Sequence, residues 1–463
     1  MTRYPRDTDA LGRPFGDDYR RSPLHASTST GGAVPVSAAR LARTPAGRSD
    51  RRQRAAMLER MRTGWDATHS QRLDIAVNKH DADTLVVNGE ILVRASSWPE
   101  VSEELEEAGF SRVPLGYPDL ESRLVRVEAS KGTPMRRVEQ VVRDLREEGH
   151  ALSVSYVTPL GARPVLKPTA GGILPTPVTF ASYADELSAH GAGVTVAVID
   201  TGIAAEVRTD GWLDAVARHP TGPDDNIDAL DAAPPDGYLD LYAGHGTFVA
   251  GAVAQVAPAA TIVAYRAVGP GGAGSELDVA ATLVRAVRDG AQVVNLSLGT
   301  QTLFDEPSIA LGAALEVVAE IEADRGWETV VVAAAGNFGD ETPTWPAAFN
   351  RVVAVGALTA ALTPTTWSSR GSWVDISTVG EGVLSTYVQG SQSPEFTDAP
   401  QTFGTDAFAR WMGTSFAAPQ VAGAVARAMT ELGISGPAAV NALLAAGKPV
   451  AGFGRALQIL PGA

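Results

Sequence analysis

Four side chains in the second half of the sequence have the types needed for acyl transfer. Asp200 ends the apolar run Val194–Ile199 in the string VAVIDTG, and a carboxylate at the mouth of a buried strand must be paired or solvated. His245 stands in GHGTFVAG, where Gly244 and Gly246 remove side chains from either side of the imidazole and let other backbone approach. Ser415 stands in GTSFAAP, at the start of a helix rich in small residues, where backbone N–H groups favour negative charge developing nearby. Asn337, in AAAGN after the apolar run Thr329–Ala334, carries an NH2 that can donate to an oxyanion. Singly, each has an ordinary structural use: a turn Asp, a satisfied His, an N-cap Ser, a turn Asn. Jointly they supply an orienting acid, a base, a nucleophile and an oxyanion donor.

Positioning them requires strands and helices in alternation. Val194–Ile199, Thr261–Ala264, Val293–Leu296, Thr329–Ala334 and Val352–Val355 are short apolar runs suited to strands buried on both faces. Helices are expected between and after them: one capped by Ser275 with Asp278 three residues on, one over Gly246–Val256, and one from Ser415 to about Leu432. This alternation predicts an α/β domain, a mainly parallel sheet covered on both faces, over 191–463. In such sheets sites form beyond the carboxyl ends of strands, where all four residues fall.

Upstream, residues 83–158 read as a small α+β unit. Thr84–Val87 and Glu90–Arg94 flank Asn88-Gly89, a hairpin signal. A helix with Trp98, Val101, Leu105 and Ala108 on one face follows, then a strand at Arg123–Glu128. A second helix opens at Thr133-Pro134 and ends at Gly149, and a strand covers Leu152–Val157. The order β, α, β, α, β is compatible with a ferredoxin-like unit. Residues 159–190, rich in Pro and Gly, read as a linker. Residues 1–82 read as a basic arm: 1–70 carry a net charge of +6, the stretch Ser22–Ser49 has no periodicity and is expected to be disordered, and a short helix is expected around Arg51–Trp65. The arm is a candidate contact for an acidic partner.

Composition excludes several classes. The 463 residues are 44% hydrophobic with a net charge of −15, which supports a soluble globular protein and argues against nucleic-acid binding. Without cysteine there is no disulfide, thiolate nucleophile or cysteine-held metal. The N-terminus lacks the apolar stretch of a secretory signal, and no run reaches the roughly 20 apolar residues of a membrane helix. A cytoplasmic location with no membrane contact is expected, with export by another route left open.

The chain order Asp, His, Ser is that of subtilisin, and DTG at Asp200–Gly202, GHGTFVAG and GTSFAAP resemble the three signatures of the subtilisin-like serine proteases, the subtilases of peptidase family S8. AAAGN resembles their oxyanion-hole motif, NLSLG at Asn295–Gly299 their substrate-binding strand, and WPAAFNRVVAVGA the segment beyond the specificity loop. The resemblance covers about residues 190–435 and implies a subtilisin-like three-layer fold and serine endopeptidase activity on protein or peptide substrates. Ser415 would be the nucleophile, His245 the base and then acid, and Asp200 the orienting carboxylate. Asn337 and the Ser415 backbone N–H would hold the oxyanion. Ser297, Leu298, Gly299, Gly272, Gly274 and Gly336 would hold substrate as an added extended strand. Trp345-Pro346 is a candidate cis peptide by the same resemblance.

By position and element order, residues 83–158 resemble the inhibitory prodomain of many subtilases. That implies a self-processed zymogen, cut between about Val157 and Gly191. No cofactor is required. Structural calcium, or a contact for basic residues, is left open by the acidic stretch Asp224, Asp225, Asp228, Asp231, Asp236 and Asp240, although a solvated loop fits it better. Asp340 and Glu341 in the loop Phe338–Thr344 suggest a basic residue before the scissile bond. Phe416 stands where the family usually has Met. A catalytically silent binding or regulatory module of the same fold is the alternative function.

Overall fold

A computed structural model of the protein describes residues 45–67, 69–160, 174–179, 189–221, 225–232, 234–269 and 271–461. The larger sheet carries the second half of the sequence. Its strands are β7 (Thr195–Asp200), β8 (Thr261–Arg266), β10 (Val293–Leu296), β11 (Val330–Ala334), β12 (Val352–Leu358), β13 (Ile376–Val379), β18 (Lys448–Pro449) and β19 (Arg455–Ala456), in the order β18-β19-β13-β12-β11-β10-β7-β8. All neighbours are parallel except β18 with β19. The five apolar runs became five adjacent strands, β12-β11-β10-β7-β8, with β8 at the edge, and both faces of the sheet are covered. Val196 and Val198 face a core shared with Phe248 and Val253 of α4 (His245–Val256) and Val421 and Val425 of α7 (Thr414–Leu432). Ala197 and Ile199 face the opposite core, with Leu283 of α5 (Glu276–Arg288) and Leu311 and Val318 of α6 (Ile309–Arg325). The result is the three-layer α/β arrangement expected; α8 (Gly436–Ala446) closes the chain's helical set. Ser275 caps α5 by accepting from Asp278 N–H.

The smaller sheet holds β1 (Leu73–Val77), β2 (Asp83–Arg94), β3 (Phe110–Val113), β4 (Leu124–Ala129) and β5 (Leu152–Pro159), in the order β3-β4-β2-β5 with β1 on β2. Helices α2 (Trp98–Glu107) and α3 (Met135–Glu147) follow β2 and β4. The run β2-α2-β3-β4-α3-β5 is the ferredoxin-like βαββαβ order. Four details differ from expectation. Asn88-Gly89 makes no hairpin: β2 runs through it, and the register to β5 shifts between Val86 and Ile91, a bulge that Gly89 allows at φ 79°. Strand β1 falls within the expected arm, yet it pairs with β2 along its whole length. Strand β3 was not expected. Pro134, not Thr133, is the residue before the helix: its backbone is extended at ψ 143°, and Thr133 Oγ1 donates to the Ser130 carbonyl instead of capping.

The helix expected around Arg51–Trp65 is α1, Pro45–Asp66. Most of the stretch expected to be disordered, and most of the linker, lie outside the described residues. Within the linker, β6 (Thr176–Val178) pairs with β17 (Phe408–Trp411), which also pairs with β14 (Val383–Thr386). The short pair β15 (Gly390–Ser391) and β16 (Thr402–Phe403) completes the strands. One further strand, β9 (Ala273–Ser275), joins the two halves: it belongs to the larger domain in sequence but extends the smaller sheet by pairing with β5.

Candidate active site

Asp200 ends β7, His245 opens α4 and Ser415 lies in the first turn of α7. All three side chains are buried. His245 Nδ1 donates to Asp200 Oδ1 at 2.7 Å. That bond fixes the tautomer and leaves Nε2 as the atom able to accept a proton. Asp200 Oδ1 also accepts from Thr201 N–H at 2.8 Å. The imidazole is walled by Trp411 and Phe416, ring centroids 5.4 and 5.1 Å away, so Phe416 serves as packing. Gly246 is required where α4 meets the strand end, since a Cβ there would lie 2.1 Å from the Gly202 carbonyl oxygen.

Ser415 Oγ lies 3.0 Å from the Ser297 carbonyl and 3.3 Å from the Leu160 carbonyl. Its one proton is therefore turned to these oxygens, and the bond to His245 Nε2 is not made in this rotamer. Asn337 Oδ1 accepts from Thr414 N–H at 2.8 Å and Thr414 Oγ1 at 2.9 Å. A backbone N–H can only donate, so the carboxamide oxygen must face Thr414 and Nδ2 is left as the outward donor. Gly336, at φ 97°, gives its N–H to Thr414 Oγ1 and orders this same turn.

The cleft beside Ser415 is filled by the chain itself. The end of β5 lies antiparallel to β9, pairing Val157 with Ser275, Thr158 with Gly274 and Pro159 with Ala273. Leu160 N–H donates to the Gly272 carbonyl at 3.1 Å, and Gly299 N–H donates to the Pro159 carbonyl at 3.4 Å. Residues 157–160 are thus an added strand between the segments of Gly272–Gly274 and Ser297–Gly299, ending at the serine. The Leu160 side chain is buried in one apolar cluster with Leu298. Behind this strand, Tyr156 N–H donates to Glu276 Oε1 at 2.8 Å. Asp340 and Glu341 have partners of their own within the fold. Asp340 Oδ1 accepts from Gln301 Nε2 and Thr342 N–H, and Glu341 faces Arg370 at 3.7 Å.

The acidic stretch mostly ties down its own loop. Asp231 accepts from the N–H groups of Asp236 and Gly237, Asp240 from Ala232 N–H, and Asp225 pairs with Arg266; Asp224 lies outside the described residues. Among the described residues, no group of three or more His, Asp or Glu side chains is arranged to hold a metal, and no helix is long and apolar enough to cross a membrane.

Asp228 is the residue whose place was not foreseen. Its Oδ2 accepts from Thr201 Oγ1 at 2.7 Å and Gly244 N–H at 2.8 Å, while Gly246 N–H donates to Thr201 Oγ1. One buried carboxyl thus holds both glycines flanking His245. Its only sequence signal was an Ile-Asp pair inside an acidic run. Burial pushes Asp228 up to about 7, with Asp200 adding in the same direction. Between roughly pH 4 and 7 the folded chain then keeps a proton that the unfolded chain releases, so this group's contribution to stability declines as pH rises across that window. Asp228→Asn, close in shape to the protonated acid, should flatten the fall in melting temperature from about pH 4 to 7. The comparison belongs in a Ser415→Ala background that keeps the chain whole. Equal slopes with and without the change would show that Asp228 does not titrate there.

The subtilase family model matches residues 191–450. A thermophilic serine proteinase of Bacillus sp. (strain AK1) is 32% identical over 263 residues, 54% of this chain and 55% of that enzyme. The chain thus matches little more than half the length of that relative. Subtilisin Savinase of Lederbergia lenta is 34% identical over 247 residues, 51% of this chain and 76% of that protein. The crystal structure of fervidolysin from Fervidobacterium pennivorans, described as a keratinolytic enzyme related to subtilisin, shares the fold with a TM-score of 0.54 at 22% identity. It covers 81% of this chain and 60% of that one. With a family match over more than half its length, and with the motif residues Asp200, His245 and Ser415 gathered at one end of the larger sheet, the chain belongs to the subtilase family.

Proposed function

We propose that this protein is a serine endopeptidase made as a self-processed zymogen, with Asp200, His245 and Ser415 as its triad. The observation that carries this reading is the strand 157–160 docked between β9 and Gly299, with the Leu160 carbonyl at Ser415 Oγ. A peptide held this way brings a backbone carbonyl to the serine, and reaction requires Oγ to turn from the Ser297 and Leu160 carbonyl oxygens to His245 Nε2. Ser415 Oγ attacks the carbonyl carbon of the residue before the scissile bond as His245 Nε2 takes the hydroxyl proton. Asp200 Oδ1 holds the imidazolium through Nδ1–H. Asn337 Nδ2 and the Ser415 backbone N–H donate to the oxyanion. On collapse the peptide C–N bond breaks, and His245 returns the proton to the leaving amine. Water, activated by the same His245, then hydrolyses the acyl-enzyme and restores Ser415. Residues up to Leu160 act as the propiece. Glu276, on the enzyme side, grips the backbone of its last strand.

A fluorophosphonate probe added after incubation of the full chain tests the reading. Modification should map to Ser415, with loss of an N-terminal fragment by intact mass. A chain that neither reacts nor shortens would be the silent module of the same fold. Asn337→Leu tests the oxyanion donor. It keeps side-chain bulk but removes the N–H, together with the oxygen that accepts from Thr414, so kcat on a peptide ester should fall by at least roughly 10²–10³-fold, the size found for the corresponding donor in subtilisin, with KM little changed. A KM effect alone would assign Asn337 to substrate binding instead.

A further inference from the structure

Helix α1 stands before the propiece sheet and touches both halves of the molecule. Met61 and Trp65 are buried in a cluster with Leu73 of β1, Leu85 and Val87 of β2, and Val157, with Ala273 packed against it. Those last two residues lie on the occupying strand and on the strand that receives it. Met57, one turn back, is buried with Leu241 and Phe396 of the larger domain. Between them Arg60 reaches across. Its guanidinium pairs with Asp236, bonds Glu395 Oε2 at 3.1 Å and donates to the Pro234 carbonyl at 3.1 Å, with Phe396 beneath it at 6.0 Å. The helix backbone itself sits against the loop before β9, since a Cβ on Gly271 would lie 3.4 Å from Met61 Cα.

We propose that the apolar patch of Leu241 and Phe396, rimmed by Asp236 and Glu395, is a docking site for the chain's own basic helix α1, and that this second attachment keeps the propiece on the enzyme after its C-terminal bond is cut. The inference rests on the zymogen reading above. It gives the basic arm an acidic partner within the same chain, and it gives Asp236 a counter-charge. Two attachments on one fragment act bivalently: while either holds, the other rebinds at high effective concentration, so release is slow without tighter contacts in the cleft. The Arg60 partners named above lie on neither the occupying strand nor the triad, so its loss should alter release and not cleavage.

The test compares full-length wild type, Arg60→Glu, and Arg60→Glu combined with Asp236→Lys and Glu395→Lys. In wild type the two fragments should co-elute on gel filtration just after self-cleavage, and hydrolysis of a peptide ester should rise only slowly, as the propiece leaves. Arg60→Glu should be cut at the wild-type rate but release its propiece roughly ten-fold faster or more, seen as earlier rise of ester hydrolysis. The triple variant, with charges exchanged, should return toward wild type; loss of packing alone would not be repaired by that exchange. Normal cleavage with unchanged release in Arg60→Glu overturns the docking role while leaving the endopeptidase reading intact. Absence of cleavage in wild type overturns that reading and the retention role with it. Amide exchange of residues 55–66 in a Ser415→Ala background reads the contact without chemistry. Faster exchange in Arg60→Glu supports the dock, and identical exchange overturns it.

Discussion

Ser415→Ala should lower turnover of a peptide ester by on the order of 10⁶-fold, a size taken from removal of the corresponding nucleophile in subtilisin, and should leave the chain at its full mass. The two effects share one cause. Without Oγ no acyl-enzyme forms, whether the carbonyl belongs to an added ester or to Leu160, whose oxygen lies 3.3 Å from that hydroxyl. The fold should not suffer. Ser415 Oγ only donates to the carbonyls of Ser297 and Leu160, and Ala is at home in a helix whose neighbours are Ala417 and Ala418. A variant with unchanged melting behaviour, no turnover and no shortening assigns the nucleophile. A variant that still shortens in purified form would place the cutting activity elsewhere, in another serine or a contaminant, and would remove Ser415 from its role.

Why these residues were legible and others were not follows from the range of the interactions that define them. Asp200, His245 and Ser415 sit in short strings whose glycines and apolar runs are dictated locally. A strand buried on both faces, a positive φ at Gly244 and a helix start at Thr414 are each visible in fewer than a dozen residues. Asn337 was legible for the same reason, but its orientation came only with Thr414, 77 positions away. Asp228 was one acid among six because its partners Thr201 and Gly244 lie on other segments. The Asn88-Gly89 misreading is similar. Both flanks are apolar strand-like runs, yet each pairs with strands brought from elsewhere, β1 before the dipeptide and β4 after it, so the chain continues straight instead of folding back. Leu160 fell in a Pro- and Gly-rich stretch that reads as linker. Its place depends on β9, more than a hundred residues later, offering an unpaired edge. The alternation of Leu152–Val157 running on into Pro159-Leu160 was the one local sign that the strand did not end where the prolines begin.

Leu160 carries the second large effect. Its N–H and the flanking carbonyls are already bound as a strand, so the side chain decides whether that strand stays in register with Ser415. The side chain is buried to 3% exposure. Placing a carboxylate there costs several kcal/mol, on the order of the 2–7 kcal/mol of burying an unpaired polar group, and Asp340 and Glu341 next to the cleft add no cation to offset it. Leu160→Asp should therefore slow self-cleavage at the Leu160–Gly161 bond by at least about 10²-fold, while Leu160→Met, similar in volume and apolar, should stay near wild type. Lysine tests the opposite expectation drawn from the acidic loop. Asp340 is bonded to Gln301 and Glu341 faces Arg370, while the Leu160 side chain sits in an apolar cluster, so Leu160→Lys should be slowed as well by burial of its ammonium. Time-resolved intact mass with N-terminal sequencing reads all three. Wild-type cleavage giving a new N-terminus at Gly161, with the ranking Leu and Met far above Lys and Asp, supports an apolar residue before the scissile bond as the enzyme's preference. Cleavage at another bond, or a lysine variant cut faster than wild type, would move the specificity back to the acidic loop and make the docked strand an inhibitor that is not itself the substrate.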